Sequence, residues 1–190
     1  MNNKPKKFKI NKGSKPPRIE GIDYKNKNDY SKHMKLKNNQ ITISGKHSVL
    51  SALKNTHRKL FYLISTPEHH MFWSKELEDL EIKIDIKIKE KDALDEINNF
   101  KPHQNIILVT EPLKRISLDE FLIKKQTQST NPIRIILLDQ VTDPQNVGAI
   151  IRSAHAFKMD GLALTQRNSP LETAAMSKAS YGAIEKIEII

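Results

Sequence analysis

The chain has 190 residues, of which 37% are hydrophobic and 28% charged, enough for one ordinary domain or two small ones and too little for three. Cysteine is absent and the formal net charge is +10, which excludes disulfides and cysteine-ligated zinc. No apolar run reaches the roughly 18 residues of a membrane span, and the basic start is not followed by an apolar stretch of signal-peptide type, so a soluble cytoplasmic protein with no membrane contact is expected.

The hydrophobic share lies below the globular norm of roughly 45–50%, which predicts that part of the chain is unfolded. Charge points to the same part. Eleven lysines and Arg18 against Glu20, Asp23 and Asp29 place almost all of the net charge in the first 38 residues. Pro5, Gly13, Pro16, Pro17 and Gly21 interrupt that stretch, and it has no sustained hydrophobic period. Residues 1–40 therefore read as a disordered basic arm. A polyanion would be held by Lys4, Lys6, Lys7, Lys9, Lys12, Lys15 and Arg18, since each cation that neutralises a phosphate releases counterions. A merely solubilising extension is the alternative.

From Ile41 the pattern alternates. A strand is expected over 41–43, then a helix over 46–54 with Val49, Leu50 and Leu53 on one face, and a strand over 60–65. Thr66 and Pro67 open a helix running to about Leu80. Its Phe72 and Trp73 read as core rather than as base-stacking platforms. Ile82, Ile84, Ile86 and Ile88 alternate with Lys83, Asp85, Lys87 and Lys89, the signature of a strand with one wet face. A helix over 91–100 and an apolar strand over 106–110 complete a layered α/β unit, 41–112. Residues 113–131, with a possible helix over 118–125 and a polar run before Pro132, read as a linker. A second unit, 132–190, begins with the nearly continuous apolar run 133–138, expected as a parallel strand buried on both faces. It continues with a helix to about Phe157, a strand over 162–165, a helix around 171–179 and a strand-like end at 187–190. Stopping in an apolar strand suggests a domain cut off partway.

The segment with chemistry in it is Leu138-Asp139-Gln140-Val141-Thr142-Asp143-Pro144-Gln145-Asn146-Val147-Gly148-Ala149-Ile150-Ile151-Arg152-Ser153-Ala154. A buried strand delivers the chain to a loop at its carboxyl end, where open α/β sheets place their ligand sites. Asp143 caps a helix with Pro144 at its first position, leaving Asn146 in the first turn. Arg152 lies among Ile150, Ile151 and Ala154 and needs an anionic or carbonyl partner if buried. A carboxylate or strand-end carbonyl within the protein as the partner of Arg152, with Asn146 merely assisting the cap, is the plain structural reading. Histidines 47, 57, 69 and 70 have no metal-ligand spacing, so no metal is expected. Gly45-Lys46 shares two residues with a phosphate loop but lacks the rest of a Walker sequence; at the start of a helix, Lys46 is a candidate phosphate contact.

The string DPQNVGAIIRSA after a buried strand resembles the first signature motif of the SpoU/TrmH family of RNA ribose 2'-O-methyltransferases, and Ser180-Tyr181-Gly182-Ala183 resembles that family's Ser-x-Gly-Ala segment. Residues 41–110, opening with Ile43-Ser44-Gly45-Lys46-His47-Ser48-Val49, are similar to the family's ribosomal-protein-like α/β/α RNA-binding domain. The two-domain order resembles the RlmB-like branch, which acts on large-subunit ribosomal RNA. The resemblance implies an N-terminal α/β/α RNA-binding domain followed by part of a SPOUT (trefoil-knot) α/β domain. It implies S-adenosylmethionine as cofactor with no metal, RNA, ribosomal by analogy, as partner, and a homodimer in the intact family. Asn146 and Arg152 become the catalytic candidates, Arg152 at the reacting ribose oxygen and Asn146 holding the ribose or orienting Arg152. The family's later cofactor motifs do not occur in this sequence, so no cofactor-binding residue is assigned and the 190 residues alone are expected to be inactive. A non-catalytic RNA-binding protein, or the remnant of a split methyltransferase gene, is the alternative.

Overall fold

The computed structural model describes residues 36, 39–99, 101–128, 131–165, 167 and 169–190. Of the proposed polyanion contacts, Lys4, Lys6, Lys7, Lys9, Lys12, Lys15 and Arg18 lie outside the described residues, as does nearly all of the predicted basic arm.

The first lobe contains β1 (Ile41–Ser44), α1 (Lys46–Leu53), β2 (Leu60–Ser65), α2 (Pro67–Asp79), β3 (Asp85–Ile88), α3 (Lys91–Ile97) and β4 (Ile106–Thr110). Its sheet runs in the order β1-β4-β2-β3. β4 pairs antiparallel with β1 and β2, and β3 pairs parallel with β2. Successive side chains of a strand point to opposite faces, which explains why the central strand β4 is apolar throughout. Ile106 and Leu108 join Val49, Leu53, Trp73 and Leu77 beneath α1 and α2, while Ile107 and Val109 join Ile64 and Leu94 on the other side. Trp73 is core as expected, whereas its neighbour Phe72 is 37% exposed.

The alternating stretch from Ile82 yields a shorter strand than its pattern suggests. Glu81 adopts a left-handed conformation, and the Ile82 amide donates back to the Leu77 carbonyl at 2.9 Å, closing the end of α2. Ile82 and Ile84 pack against the core from this connection before the ladder begins at Asp85.

The second lobe contains β5 (Ile135–Leu138), α5 (Pro144–Ala156), β6 (Gly161–Leu164), α6 (Ala174–Ser180), a 3-10 turn (Ala183–Glu185) and β7 (Glu188–Ile189), with a parallel sheet ordered β5-β6-β7. Val147, Ile151 and Ala154 of α5 meet Leu162, Met176 and Ile184 in its core. Asp143 caps α5, its carboxylate accepting from the Gln145 amide at 3.0 Å, and Pro144 opens the helix. The helix closes against α6: a Cβ at Gly148 would lie 2.5 Å from the Met176 carbonyl oxygen. One expectation is corrected here. β5 is not buried on both faces, because among the described residues it lies at the sheet edge, paired only with β6, and Leu137 is 71% exposed.

Between the lobes, α4 (Leu118–Gln128) occupies the stretch expected as a linker and lies on the second sheet. Its Phe121 is fully buried against Gly161, Lys124 bonds Glu188, and Lys125 pairs with Asp160 at 3.6 Å.

A buried ionic cluster joins the two lobes. Arg58, in the connection between α1 and β2, donates from Nε and Nη2 to Glu185 at 2.9 and 2.7 Å. It also donates from Nη2 and Nη1 to Glu172 at 2.8 and 3.2 Å, and from Nη1 to the Glu111 carbonyl at 3.0 Å. Asn55 adds a hydrogen bond to Glu185 at 2.8 Å, and Glu172 also accepts from Ser177 at 2.7 Å. One guanidinium thus faces two carboxylates in a nearly dry setting. Burial raises the Glu185 carboxyl above its ordinary range, against the pull of Arg58, and the neighbouring Glu172 charge pushes the same way. Burial opposes the charge on Arg58 as well, yet the bonds to both acids outweigh it and hold the guanidinium above its usual value. Close packing accompanies the ion cluster: Gly182, at φ 84°, leaves no room for a Cβ, which would fall 2.3 Å from Ser51 Oγ on α1.

Candidate functional site

Along the seam between the lobes runs an open cleft of about 380 Å³. Ser44, Asn98 and Lys101 line it from the first lobe, Gln145 and Arg152 from α5, and Lys178 with three alanines from α6. Among the described residues three cations face it and no carboxylate does, so its field favours an anion.

The helix explains which residues meet there. Seven residues are close to two full turns, so Gln145 and Arg152 share the cleft face of α5, while Val147, Ile151 and Ala154 occupy the buried one. Arg152 is exposed and, among the described residues, makes no hydrogen bond or ion pair. The structure thus departs from the plain reading of Arg152 as held by an internal carboxylate or carbonyl: its apolar neighbours in sequence point into the core and leave the guanidinium outside. Asn146, one residue past Gln145, is exposed in the first turn but is not among the cleft-lining residues, and its amide has no hydrogen-bond partner among the described residues.

Lys46 is also exposed, at the start of α1, with Nζ 4.2 Å from the centre of the Phe72 ring. Its backbone amide donates to Gln104 Oε1 at 2.8 Å, so this first helical N–H already has an acceptor. Lys178 bridges the lobes through Nζ, which donates to the Pro102 carbonyl at 2.9 Å and retains two further N–H donors.

The sequence reading missed Gln145, Lys101 and Lys178. Gln145 was legible from its i, i+7 relation to Arg152. Lys178 lies two residues before the Ser180–Ala183 segment, but nothing local to Lys101 marks it, since only the docking of the lobes brings it to α5 and α6.

Residues 133–190 match the SpoU rRNA Methylase family model, and residues 42–116 match the model for RNA 2'-O ribose methyltransferase substrate binding. The chain belongs to the SpoU/TrmH family. Within this SpoU/TrmH chain, the first match spans β5 to β7 and the second spans β1 to β4. The mitochondrial rRNA methyltransferase 1 of Schizosaccharomyces pombe is 28% identical over 177 residues, covering 81% of this chain and 59% of that protein. The SpoU methyltransferase AviRb from Streptomyces viridochromogenes, solved in complex with the cofactor AdoMet, superposes with a TM-score of 0.63 at 19% identity, over 80% of this chain and 55% of that one. An AdoMet-bound rRNA methyltransferase from Sinorhizobium meliloti gives a TM-score of 0.60 at 18% identity, over 80% and 53% of the two chains. These likenesses establish the expected α/β SPOUT fold. The chain spans about half to three fifths of the length of these relatives.

Proposed function

We propose that this chain supplies the RNA-recognition lobe and the ribose-activating helix of an S-adenosylmethionine-dependent RNA 2'-O-methyltransferase acting on ribosomal RNA. The observation that carries this reading is Arg152: an exposed guanidinium without a partner among the described residues, on a capped helix, in a cleft lined by cations from both lobes. The matched family models and the cofactor named for the two solved relatives support it.

The cleft suits the RNA and not the methyl donor. S-adenosylmethionine presents a sulfonium, an ammonium and a carboxylate, a net positive charge that Lys101, Arg152 and Lys178 disfavour, whereas every RNA phosphate is attracted. We therefore assign no residue here to the cofactor, whose contribution is a methyl group on an electrophilic sulfonium. What the chain itself does is hold the nucleophile. In this assignment Arg152 hydrogen-bonds the ribose 2'-oxygen, stabilising the negative charge that develops there as the hydroxyl proton passes to solvent water in the open cleft, and clamps the adjacent phosphate. A guanidinium is a poor base, so electrostatic stabilisation asks less of it than proton abstraction. Asn146, exposed in the first turn and without a side-chain partner among the described residues, is assigned to hydrogen bonds with the ribose.

The test is Arg152→Ala in a chain completed with a family-like C-terminal segment. Methyl transfer to ribosomal RNA should be abolished while RNA affinity falls little, because one group at the reacting oxygen acts on the transition state and affinity is shared among many phosphate contacts. A wild-type turnover number would remove Arg152 from this role. By the same reading, the 190 residues alone bind RNA without binding S-adenosylmethionine, which calorimetric titration decides.

A further inference from the structure

Beside the cleft lies a second hollow, of about 90 Å³. It shares Ser44 and Lys178 with the first, and Tyr181 forms part of its wall. Tyr181 stands at the end of α6 in a left-handed conformation, φ 55°. That region is uncommon for a bulky side chain, and such conformations persist where the surroundings enforce them. Here the enforcing contact is the next residue, Gly182, seated against Ser51 and the His47 carbonyl of α1. The result is an aromatic pair built across the seam. The Tyr181 ring stacks on His47 with centroids 5.0 Å apart and 28° between planes, and Tyr181 remains 59% exposed. Among the described residues its hydroxyl makes no hydrogen bond.

We propose that Tyr181, backed by His47, is a stacking platform for an unpaired RNA base whose neighbouring phosphates lie along Lys178, Lys101 and Arg152. The inference rests on the reading of the cleft as an RNA site and adds a base-contacting element to it. A large ring held by its own backbone, braced by a second ring and left open to solvent has little to gain for the fold. Next to a row of cations it has the two components that bind single-stranded nucleic acid, a charged track and a π-face. Stacking on such a face tolerates any base, so the platform fits a flexible, unpaired neighbour of the modified nucleotide rather than a sequence-reading pocket. A duplex keeps its bases stacked on each other and cannot use it.

The experiment compares the full 190-residue chain with Tyr181→Leu and Tyr181→Phe, titrated with a short single-stranded RNA and with an abasic oligomer of equal length and charge. Tyr181→Leu should weaken binding of the base-bearing strand about tenfold, within the range of one lost base stack. It should leave the abasic oligomer unaffected, and Tyr181→Phe should behave as wild type toward both. Equal losses on both oligomers would show a contribution to folding or charge and overturn the platform, and so would a Tyr181→Leu affinity equal to wild type. Either result leaves the RNA reading of the cleft standing. Failure of the wild-type chain to bind either oligomer would overturn both.

Discussion

Replacing Arg58 with alanine should separate the two lobes. The guanidinium makes five hydrogen bonds, four of them to Glu172 and Glu185, whose side chains are only 5% and 2% exposed. Its removal strands two carboxylates beside each other without solvent, and breaking a buried pair by deleting one partner destabilises by about 3–5 kcal/mol. For a chain of this size, that corresponds to a melting point lower by about 6–20 °C. The pH dependence identifies the cause. Glu185 already sits above its ordinary value in the wild type, so the folded state holds its proton more tightly than the unfolded one. Stability from this group is therefore greatest on the acid side and falls as pH rises from the ordinary carboxylate value through the raised one. Without Arg58 to oppose it, the carboxyl rises further, and acidification from about pH 7.5 to about pH 5 should recover part of the loss. Calorimetric scans at both pH values are the measurement. A variant melting within about 2 °C of wild type, or losing equally at both pH values, would refute the role given to the cluster.

Two further outcomes follow from packing and charge. Gly148→Ala places a methyl 2.5 Å from the Met176 carbonyl oxygen and 2.7 Å from Ala179 Cβ; overpacking of about 1–3 kcal/mol should exceed the helix-propensity gain of about 1 kcal/mol and lower the urea midpoint, whereas an unchanged midpoint would mean that α5 and α6 do not meet so closely. Deleting residues 1–38 should leave the thermal midpoint unchanged and flatten the slope of log RNA affinity against log salt, as expected of a lysine-rich, apolar-poor sequence that would release counterions on meeting phosphate; an unchanged slope would reject the arm as an RNA contact.

Elements set by local rules were legible in the sequence. β2 and β4 have the expected bounds because an apolar run between polar turns sets where a strand starts and stops. α5 begins at Pro144 because Asp143 and that proline fix its first turn. Features that depend on distant segments were not legible. Leu137 reads as core from its neighbours, but exposure at an edge strand is a property of the sheet. Arg58 finds its acids 114 and 127 residues away, and no period or spacing links them. Arg152 and Asn146 were visible through their motif, whereas Lys101 joins Arg152 only after docking brings the lobes together.

That sequence distance also bears on how the protein is made. At roughly 5–20 residues per second, a ribosome needs on the order of ten seconds to pass from Arg58 to Glu172. For that interval the Arg58 guanidinium lacks both of its carboxylate partners, with the Glu111 carbonyl its earlier-made acceptor. The same separation would direct the newly made α6 and its following turn toward the place where they belong, because a waiting cation attracts two acids as they emerge, before any close packing exists. Gly182, Ser51 and the paired rings would then settle only once the charges had met, making this ionic joint a guide to assembly order during translation.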